Sequence, residues 1–454
     1  MGKNPFGKRK SVRLSPTRTI ALAFAVIILV GTLLLSLPTS SRSGQSCGFR
    51  PALFTATSAT CVTGLVLFDT WTQWSGFGQV VIITLIEVGG LGFMSAASIV
   101  VFLLRRKVGL KQRLLMAQAL SLNDMQGVVH LQKTVLLGSL SIQLLGAVVL
   151  TLRFLPEYGI RQAAVWGVFH AISAFCNAGF DIFGSFAPGQ SIIPFNSDPV
   201  VCITLMLLVS VGGLGFFVWE EVARLRSFRK CSVYTKLILL TTLVLILGGA
   251  VLFLILEWNN PGTLGPMGWG QKILNSFFQS VTLRTAGFAA VDQAQLTDAG
   301  KALSILLMLI GGSSGSTAGG IKTGTVVVIL LFIWTRARGR STVNVFKRSI
   351  SQDKVLDALT IAAIMLGLTF LGATVVSATS SAAFTDSLFE VASAMGTVGL
   401  TAGLTPSLSA VSHYILIIFM YFGRVGVLTI SLGFMMSDKA QDRYQYAYTN
   451  ILVG

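Results

Sequence analysis

Long apolar runs alternate with short polar breaks along nearly the whole chain, near 19–38, 79–104, 131–155, 199–219, 235–257, 301–334, 355–379 and 412–436. About 20 apolar residues suffice to cross a bilayer as a helix, so the pattern predicts eight spans. Between the two spans of each pair lies a shorter apolar window, such as 51–61 or 384–395. A window that short can enter the membrane and turn back, but cannot cross it. Irregular backbone at membrane depth is tolerated only where protein or a water-filled path surrounds it. The predicted unit is span, re-entrant half-helix, loop, span.

The short windows superpose without a slip in register. They read Phe54-Thr-Ala-Thr-Ser-Ala-Thr-Cys-Val-Thr-Gly64-Leu65, Phe169-His-Ala-Ile-Ser-Ala-Phe-Cys-Asn-Ala-Gly179-Phe180, Phe277-Phe-Gln-Ser-Val-Thr-Leu-Arg-Thr-Ala-Gly287-Phe288 and Phe389-Glu-Val-Ala-Ser-Ala-Met-Gly-Thr-Val-Gly399-Leu400. The glycines stand 115, 108 and 112 residues apart. Repetition at a near-fixed period outranks any single motif as a sign of architecture. The expected fold is an all-α membrane protein with eight transmembrane helices, arranged as four span–pore-helix–span repeats around a pseudo-fourfold pore. The expected divisions are a basic N-terminus at 1–18, repeats at 19–115, 116–230, 231–345 and 346–437, and a C-terminal tail at 438–454.

Composition supports the membrane reading, with 53% hydrophobic and only 11% charged residues, against about a quarter charged in soluble domains. The net charge of +17 falls mainly in Lys3–Arg18, Arg105–Arg113, Arg224–Lys236 and Arg336–Lys354. Two predicted spans separate each cluster from the next, so all four lie on one side, which the positive-inside rule makes cytoplasmic together with the N-terminus. The basic charge is thus a solvated, lipid-facing surface, and no nucleic acid is expected as partner. The apolar stretch 19–38 is longer than the apolar core of a signal peptide and is kept as the first span. Cys47, Cys61, Cys176, Cys202 and Cys231 form no CxxC pair, and His130, His170 and His413 have no metal-ligand spacing. No catalytic constellation stands out, so no enzyme and no cofactor are expected.

A repeated glycine loop has a specific use. Stripping water from potassium is costly unless equivalent oxygens replace it, and backbone carbonyls from several loops can do so. Aiming successive carbonyls at one axis needs backbone angles that a Cβ resists and glycine permits. Thr397-Val398-Gly399 has the Thr-Val-Gly opening of a potassium-channel filter. Half-helices ending at the loops would turn partly negative carbonyl ends toward the pore and favour a cation. Close helix packing is the competing use of such glycines.

The four loops, with Thr285-Ala286-Gly287-Phe288 and Thr397-Val398-Gly399-Leu400-Thr401, resemble the Ktr/Trk/HKT superfamily of potassium-translocating membrane subunits, most nearly the Ktr membrane subunit, from end to end. The resemblance implies a filter at Val62-Thr63-Gly64, Asn177-Ala178-Gly179, Thr285-Ala286-Gly287 and Thr397-Val398-Gly399, with potassium held at those residues. It also implies a homodimer in the bacterial inner membrane and a cytosolic nucleotide-binding regulatory ring from a separate polypeptide. The apolar end Tyr444–Gly454 would dock at the dimer interface on the same ground. Leu283, Cys61 and Asp181 depart from the common pattern, standing in place of proline, threonine and a small polar residue. Asp181 is either an anionic charge at the outer mouth or an exposed loop carboxylate.

The second spans of the first two repeats share Val88-Gly-Gly-Leu-Gly-Phe93 and Val211-Gly-Gly-Leu-Gly-Phe216. The third repeat instead has Gly311-Gly312-Ser313-Ser314-Gly315-Ser316-Thr317, continuing through Ala318-Gly-Gly-Ile321 to Lys322-Thr323. Each glycine costs about 1 kcal/mol in a helix, so a broken span is expected at 311–323. A phosphate-binding P-loop is rejected because Ile321 separates Gly320 from Lys322 and no strand precedes. The family resemblance implies an intramembrane gate below the filter at this loop. Arg424, in Tyr421-Phe-Gly-Arg-Val-Gly426, lies in the last span, where a charge is costly. It matches the family's gate arginine; pairing with helix carbonyl ends is the alternative. The function expected is potassium uptake, gated by the loop and the cytosolic subunit. Sodium- or proton-coupled symport is the principal alternative, and the ion-binding subunit of an ATP-driven pump a weaker one.

Overall fold

The structure is a computed structural model that describes residues 16–92 and 128–426. The same order of elements recurs along the chain. Pro16–Leu35, Phe49–Thr60 and Gly76–Leu91 come first. Val128–Phe175 and Pro199–Gly213 with Phe216–Leu225 follow. Next come Val233–Glu257, Trp269–Thr282, Asp298–Leu309 and Thr323–Ala337. Gln352–Ser380, Phe384–Gly396 and Ala410–Val425 complete the described part. Each group has a long helix, a short one and a third packed against the long one. Val128–Phe175 contains both long and short members, joined across Gly159 at φ 72°, where Pro156 has already weakened the helix.

Capping fixes where the third member starts. The side chains of Ser75, Asp198, Thr297 and Ser409 accept backbone N–H groups from Gly78, Val200 and Val201, Gly300 and Ser412. Such residues satisfy the otherwise orphaned amides of the first turn. The four starts are therefore punctuated alike.

Among the described residues, four helices are each long and apolar enough to cross a bilayer: Arg18–Leu35, Gln132–Phe175, Val233–Glu257 and Gln352–Ser380. Their outer faces leave Leu144, Leu145, Val244 and Ile255 about two-thirds exposed, as a lipid-facing surface requires. The expected spans 79–104 and 412–436 continue into residues outside the described part, where Lys3–Arg13, Arg105–Arg113, the tail 438–454 and Tyr444–Gly454 also lie. The expected straight span 199–219 is bent by 97° between Gly213 and Phe216. The cause is Gly215 at φ 92°, ψ 138°, an angle pair open to glycine. Gly92 (82°, 144°) and Gly426 (91°, 128°) take the same conformation at the ends of Gly76–Leu91 and Ala410–Val425. The expected span 301–334 is divided by the 310–322 segment, as its glycines required. Among the described residues, one element departs from an all-helical fold, a hairpin pairing Val343–Val345 with Arg348–Ile350 around Phe346 and Lys347, both at positive φ.

Candidate functional site

The four glycine loops follow the short helices Phe49–Thr60, the end of Val128–Phe175, Trp269–Thr282 and Phe384–Gly396. Each short helix ends against its loop, so its terminal carbonyls and their partial negative charge face the common centre. All twelve residues from Val62 to Gly64, Asn177 to Gly179, Thr285 to Gly287 and Thr397 to Gly399 are buried. Their backbones repeat one another. Val62, Asn177, Thr285 and Thr397 have φ of 57°, 59°, 67° and 52°, and the glycines two residues on have 99°, 67°, 84° and 96°. Non-glycine residues enter this region rarely and at a cost of about 1–2 kcal/mol, so four at one register mark a constrained conformation.

The loops close into a ring. A Cβ on Gly64 would meet the Ala178 carbonyl oxygen at 2.5 Å, and one on Gly179 the Ala286 oxygen at 2.8 Å. On Gly287 it would meet the Val398 oxygen at 2.4 Å, and on Gly399 the Thr63 oxygen at 2.1 Å. Every glycine thus faces the carbonyl just before the glycine of the next loop, in the order first, second, third, fourth, first. The second and fourth loops are opposite one another.

Hydroxyls behind the ring hold it in two styles. In the first and fourth loops, Ser58 and Ser393 Oγ accept the N–H of Gly64 and Gly399, both at 3.0 Å. In the second and third, Ser173 and Thr282 donate to the carbonyls of Phe180 and Phe288, both at 2.7 Å. A further pair of equivalent positions braces the outer side. His170 Nε2 accepts the Ile182 N–H at 3.3 Å, twelve residues on. Glu390, fully buried, accepts the Ala402 N–H at 3.0 Å, again twelve residues on, together with Leu404 N–H and the hydroxyls of Thr401 and Thr405. Both residues hold the second position of their aligned windows, the one signal the sequence offers for this shared task.

Outside the ring lies a cavity of about 290 Å³, lined by the four glycines and by Asp69, Asp181, Asp292 and Thr401. Asp181 is half-buried on this wall and accepts the Phe183 N–H at 3.3 Å. Burial, and then the nearby charge of Asp69, push its carboxyl up to about 7. Of its two expected surroundings, the structure gives the mouth of the ring.

The Gly311–Thr323 segment lies on the inner side. Ile310 and Ile321 pair as a short bridge, and Gly311 N–H donates to Ile321 O. Ser313 and Thr317 N–H donate to Gly213 and Gly212 O, and Phe216 N–H to Gly315 O, so the segment is tied to the bend of the second repeat. Thr317 Oγ1 meets Asn177 Oδ1 at 2.9 Å on the second loop. Gly319 packs against Thr397 on the fourth, where an added Cβ would lie 2.1 Å from Thr397 Oγ1. Within three residues the segment therefore touches opposite members of the ring and crosses beneath its centre. Lys322 Nζ folds back onto Ala318 O at 2.7 Å.

Arg424 stands at the end of Ala410–Val425, in the register held by Gly90 and Gly213 in the first two repeats. Its guanidinium donates to Thr317 O and to the carbonyls of Gly89 and Gly90, the last at 2.9 Å. It therefore pairs with helix-end carbonyls, the packing alternative, and also contacts the 311–323 segment. Arg284 is a second arginine in this region and is buried, 7% exposed; it donates to Thr323 Oγ1 at 3.3 Å. Its Arg-Thr-Ala-Gly string marks the third loop, but a task for the charge is not apparent from the sequence. Among buried hydroxyls near the loops, Thr60, Thr63 and Thr397 Oγ1 lack a hydrogen-bond partner, and Thr397 Oγ1 faces Gly319.

Residues 9–443 match the family model described as TrkH, cation transport protein. The chain is 40% identical to the potassium/sodium uptake protein NtpJ of Enterococcus hirae, over 98% of this chain and 99% of that one. It is 41% identical to Ktr system potassium uptake protein B of Bacillus subtilis, over 96% of each. Among solved structures, the potassium transporter TrkH from Vibrio parahaemolyticus superposes with a TM-score of 0.72 at 17% identity, covering 94% of this chain and 86% of that one.

Proposed function

The chain belongs to the TrkH family of cation transport proteins, and we propose that it takes up potassium across the cell membrane through a filter of backbone carbonyls. It is a membrane transporter and not an enzyme. The observation that carries the reading is the ring, in which Thr63, Ala178, Ala286 and Val398 carbonyls converge where each neighbouring glycine leaves room. Oxygens fixed in this way can replace the water shell of a cation of matching size. The names of the relatives, which specify potassium or potassium and sodium uptake, favour the same ion.

In this reading each group of helices is one span–pore-helix–span repeat, the N-terminus is cytoplasmic, and a cation enters through the Asp181-lined cavity. The segment from Gly311 to Thr323 is the gate. It blocks the inner mouth by crossing from the second to the fourth loop, and Arg424 holds it there while adding positive charge to the path. A cytosolic regulatory ring and a second copy of the chain belong to the same proposal, on the strength of the Ktr relatives. Coupled sodium movement is the second reading, favoured by the name of the Enterococcus relative.

The test is cation flux into proteoliposomes containing this chain, wild type and Gly399→Ser, with potassium or sodium outside. Potassium-selective flux that admits sodium in the variant is expected. Equal flux of the two ions in the wild type would remove the carbonyl filter.

A further inference from the structure

Away from the ring and its outer cavity, Phe216–Leu225 leads into Val233–Glu257, and Thr323–Ala337 leads out to the hairpin. Arg226, Arg229, Lys230, Lys236, Lys347 and Arg348 come from these two stretches, and no Asp or Glu interrupts 222–256 or 302–352. Lys236 joins the stretches. Its Nζ donates to Arg229 O at 2.8 Å and lies 5.9 Å from the centre of the Phe346 ring. Val343, buried, fixes the hairpin against Thr323–Ala337. Among the described residues, none of the six basic side chains forms an ion pair. The neighbouring acids are already engaged. Glu221 accepts the Ser232 N–H and hydroxyl at 2.8 and 2.7 Å, Glu220 faces Arg224 at 3.4 Å, and Asp357 faces Lys354 at 3.4 Å. Asp353 sits in the first turn of Gln352–Ser380, where the helix dipole favours it.

Aromatic side chains mark the depth of this surface. Phe228 and Phe346 are 47% and 48% exposed, one on each stretch. The guanidinium groups of Arg336 and Arg338 lie over the rings of Phe332 and Trp334, at 5.4 and 4.3 Å. Aromatic rings beside basic groups at the ends of spans belong at the boundary between hydrocarbon and headgroups. Phe216–Leu225 is turned by 97° from Pro199–Gly213 and so runs across the span direction, with Val222 and Arg224 exposed. Short helices that carry both kinds of side chain lie along a membrane surface in this way. Unpaired like charges held this close repel one another, and an anion relieves the repulsion. A soluble anion would meet the charge alone, whereas an anionic phospholipid meets the charge and the exposed rings together. On the orientation proposed above, this end faces the leaflet that carries the anionic lipids.

Resting on that orientation, we propose that the 226–236 loop and the 343–350 hairpin together bind the headgroup of an anionic phospholipid, seated where Lys236 joins them. The loop supplies basic groups on one side of Lys236 and the hairpin on the other. Phe228 and Phe346 stand in the hydrocarbon boundary beside the lipid's chains.

The experiment follows the thermal unfolding of the full-length protein in detergent, titrated with short-chain phosphatidylglycerol, phosphatidylcholine, inorganic phosphate or polyglutamate. In detergent the result depends on neither orientation nor ion flux, so the transport reading stands or falls separately. Phosphatidylglycerol is expected to raise the Tm saturably, and the other three to leave it in place. Arg229→Gln on the loop and Lys347→Gln on the hairpin are each expected to raise the half-saturating phosphatidylglycerol concentration about fivefold, the equivalent of about 1 kcal/mol for one basic residue beside anionic lipid. Arg161→Gln, at an exposed arginine elsewhere on the molecule, is expected to change nothing. An equal shift with phosphatidylcholine or inorganic phosphate overturns the proposal, as does a loss confined to one of the two stretches or shared by Arg161→Gln. A larger shift with polyglutamate overturns it in favour of an acidic protein surface.

Discussion

Two layers of this molecule, a few residues apart, treat the internal repetition in opposite ways. In the ring, four loops of different sequence adopt one backbone, with paired positive φ angles and the same head-to-tail approach of glycine to carbonyl. Just inside it, the equivalent positions diverge. The first two repeats have Gly89-Gly90-Leu91-Gly92 and Gly212-Gly213-Leu214-Gly215, the third has the 311–323 segment, and the fourth has Gly423-Arg424-Val425-Gly426. Ligation of a spherical ion rewards equivalence among its oxygens. On the proposed reading of the 311–323 segment as a gate, obstruction rewards the reverse, since one piece crosses the axis and the other repeats leave room for it. Gly89, Gly212 and Gly423 do this by pressing onto pore-helix carbonyls, where a Cβ would approach Thr60, Phe175 and Met395 oxygens within 2.0–2.2 Å.

The sharpest way to break the contrast is to spoil one member of the ring. An alanine at Gly399 places its Cβ 2.1 Å from Thr63 O, against 2.8 Å from Ala286 O for one at Gly179. Gly399→Ala is therefore expected to reduce potassium-over-sodium selectivity more than tenfold, a change of about 1.4 kcal/mol in relative barrier, and Gly179→Ala less. Equal losses at the two positions in a flux assay would mean that the close approaches do not set selectivity. Next in size is the inner layer. Arg424→Ala removes the donors to Thr317, Gly89 and Gly90, and is expected to raise basal potassium flux severalfold while leaving the selectivity ratio intact. A fall in selectivity without a rise in flux would show the layers to be one unit.

Bracing behind the ring gives a smaller effect. Glu390→Ala strips the acceptor from four donors around Thr401–Thr405, and is expected to cost about 2–3 kcal/mol, read as a lowered Tm in detergent. Glu390→Gln is expected to recover part of it. The smallest effect is expected at the outer mouth. With its carboxyl raised to about 7, Asp181 gains charge as pH rises through neutrality, and half-saturating external potassium is expected to fall by a factor of about two. Asp181→Asn should flatten that dependence, and a profile unaffected by the substitution would assign it elsewhere. The same shift works against the folded state as pH rises from the ordinary carboxylate range to about 7, because the unfolded chain ionises first.

Periodicity carried the architecture, because apolar length and glycine register are local quantities. The short helices, the loops after them and the interruption at Gly311–Thr323 were all legible in that way. Bends were less legible. Gly215 turns the chain through about a right angle, yet Val211–Phe216 reads as continuous apolar sequence, since hydropathy is blind to φ. Side-chain partnerships across repeats were not legible at all. Asn177 and Thr317 are 140 residues apart, and Arg284 reveals its burial only once Thr323 is folded against it. Glu390 carries no signal of its task in the sequence, because its donors come from a segment twelve residues on.

The head-to-tail closure of the ring also orders events during synthesis. Gly399 completes the circle against Thr63 and Gly64, residues made when the ribosome had finished barely a seventh of the chain. Until the fourth repeat emerges, the Thr63 carbonyl has no neighbour and the circle stands open on one side. If the ring is the filter proposed above, a cell making this protein inserts three of its four loops before the ring can choose between ions, and termination in the last repeat leaves the circle open.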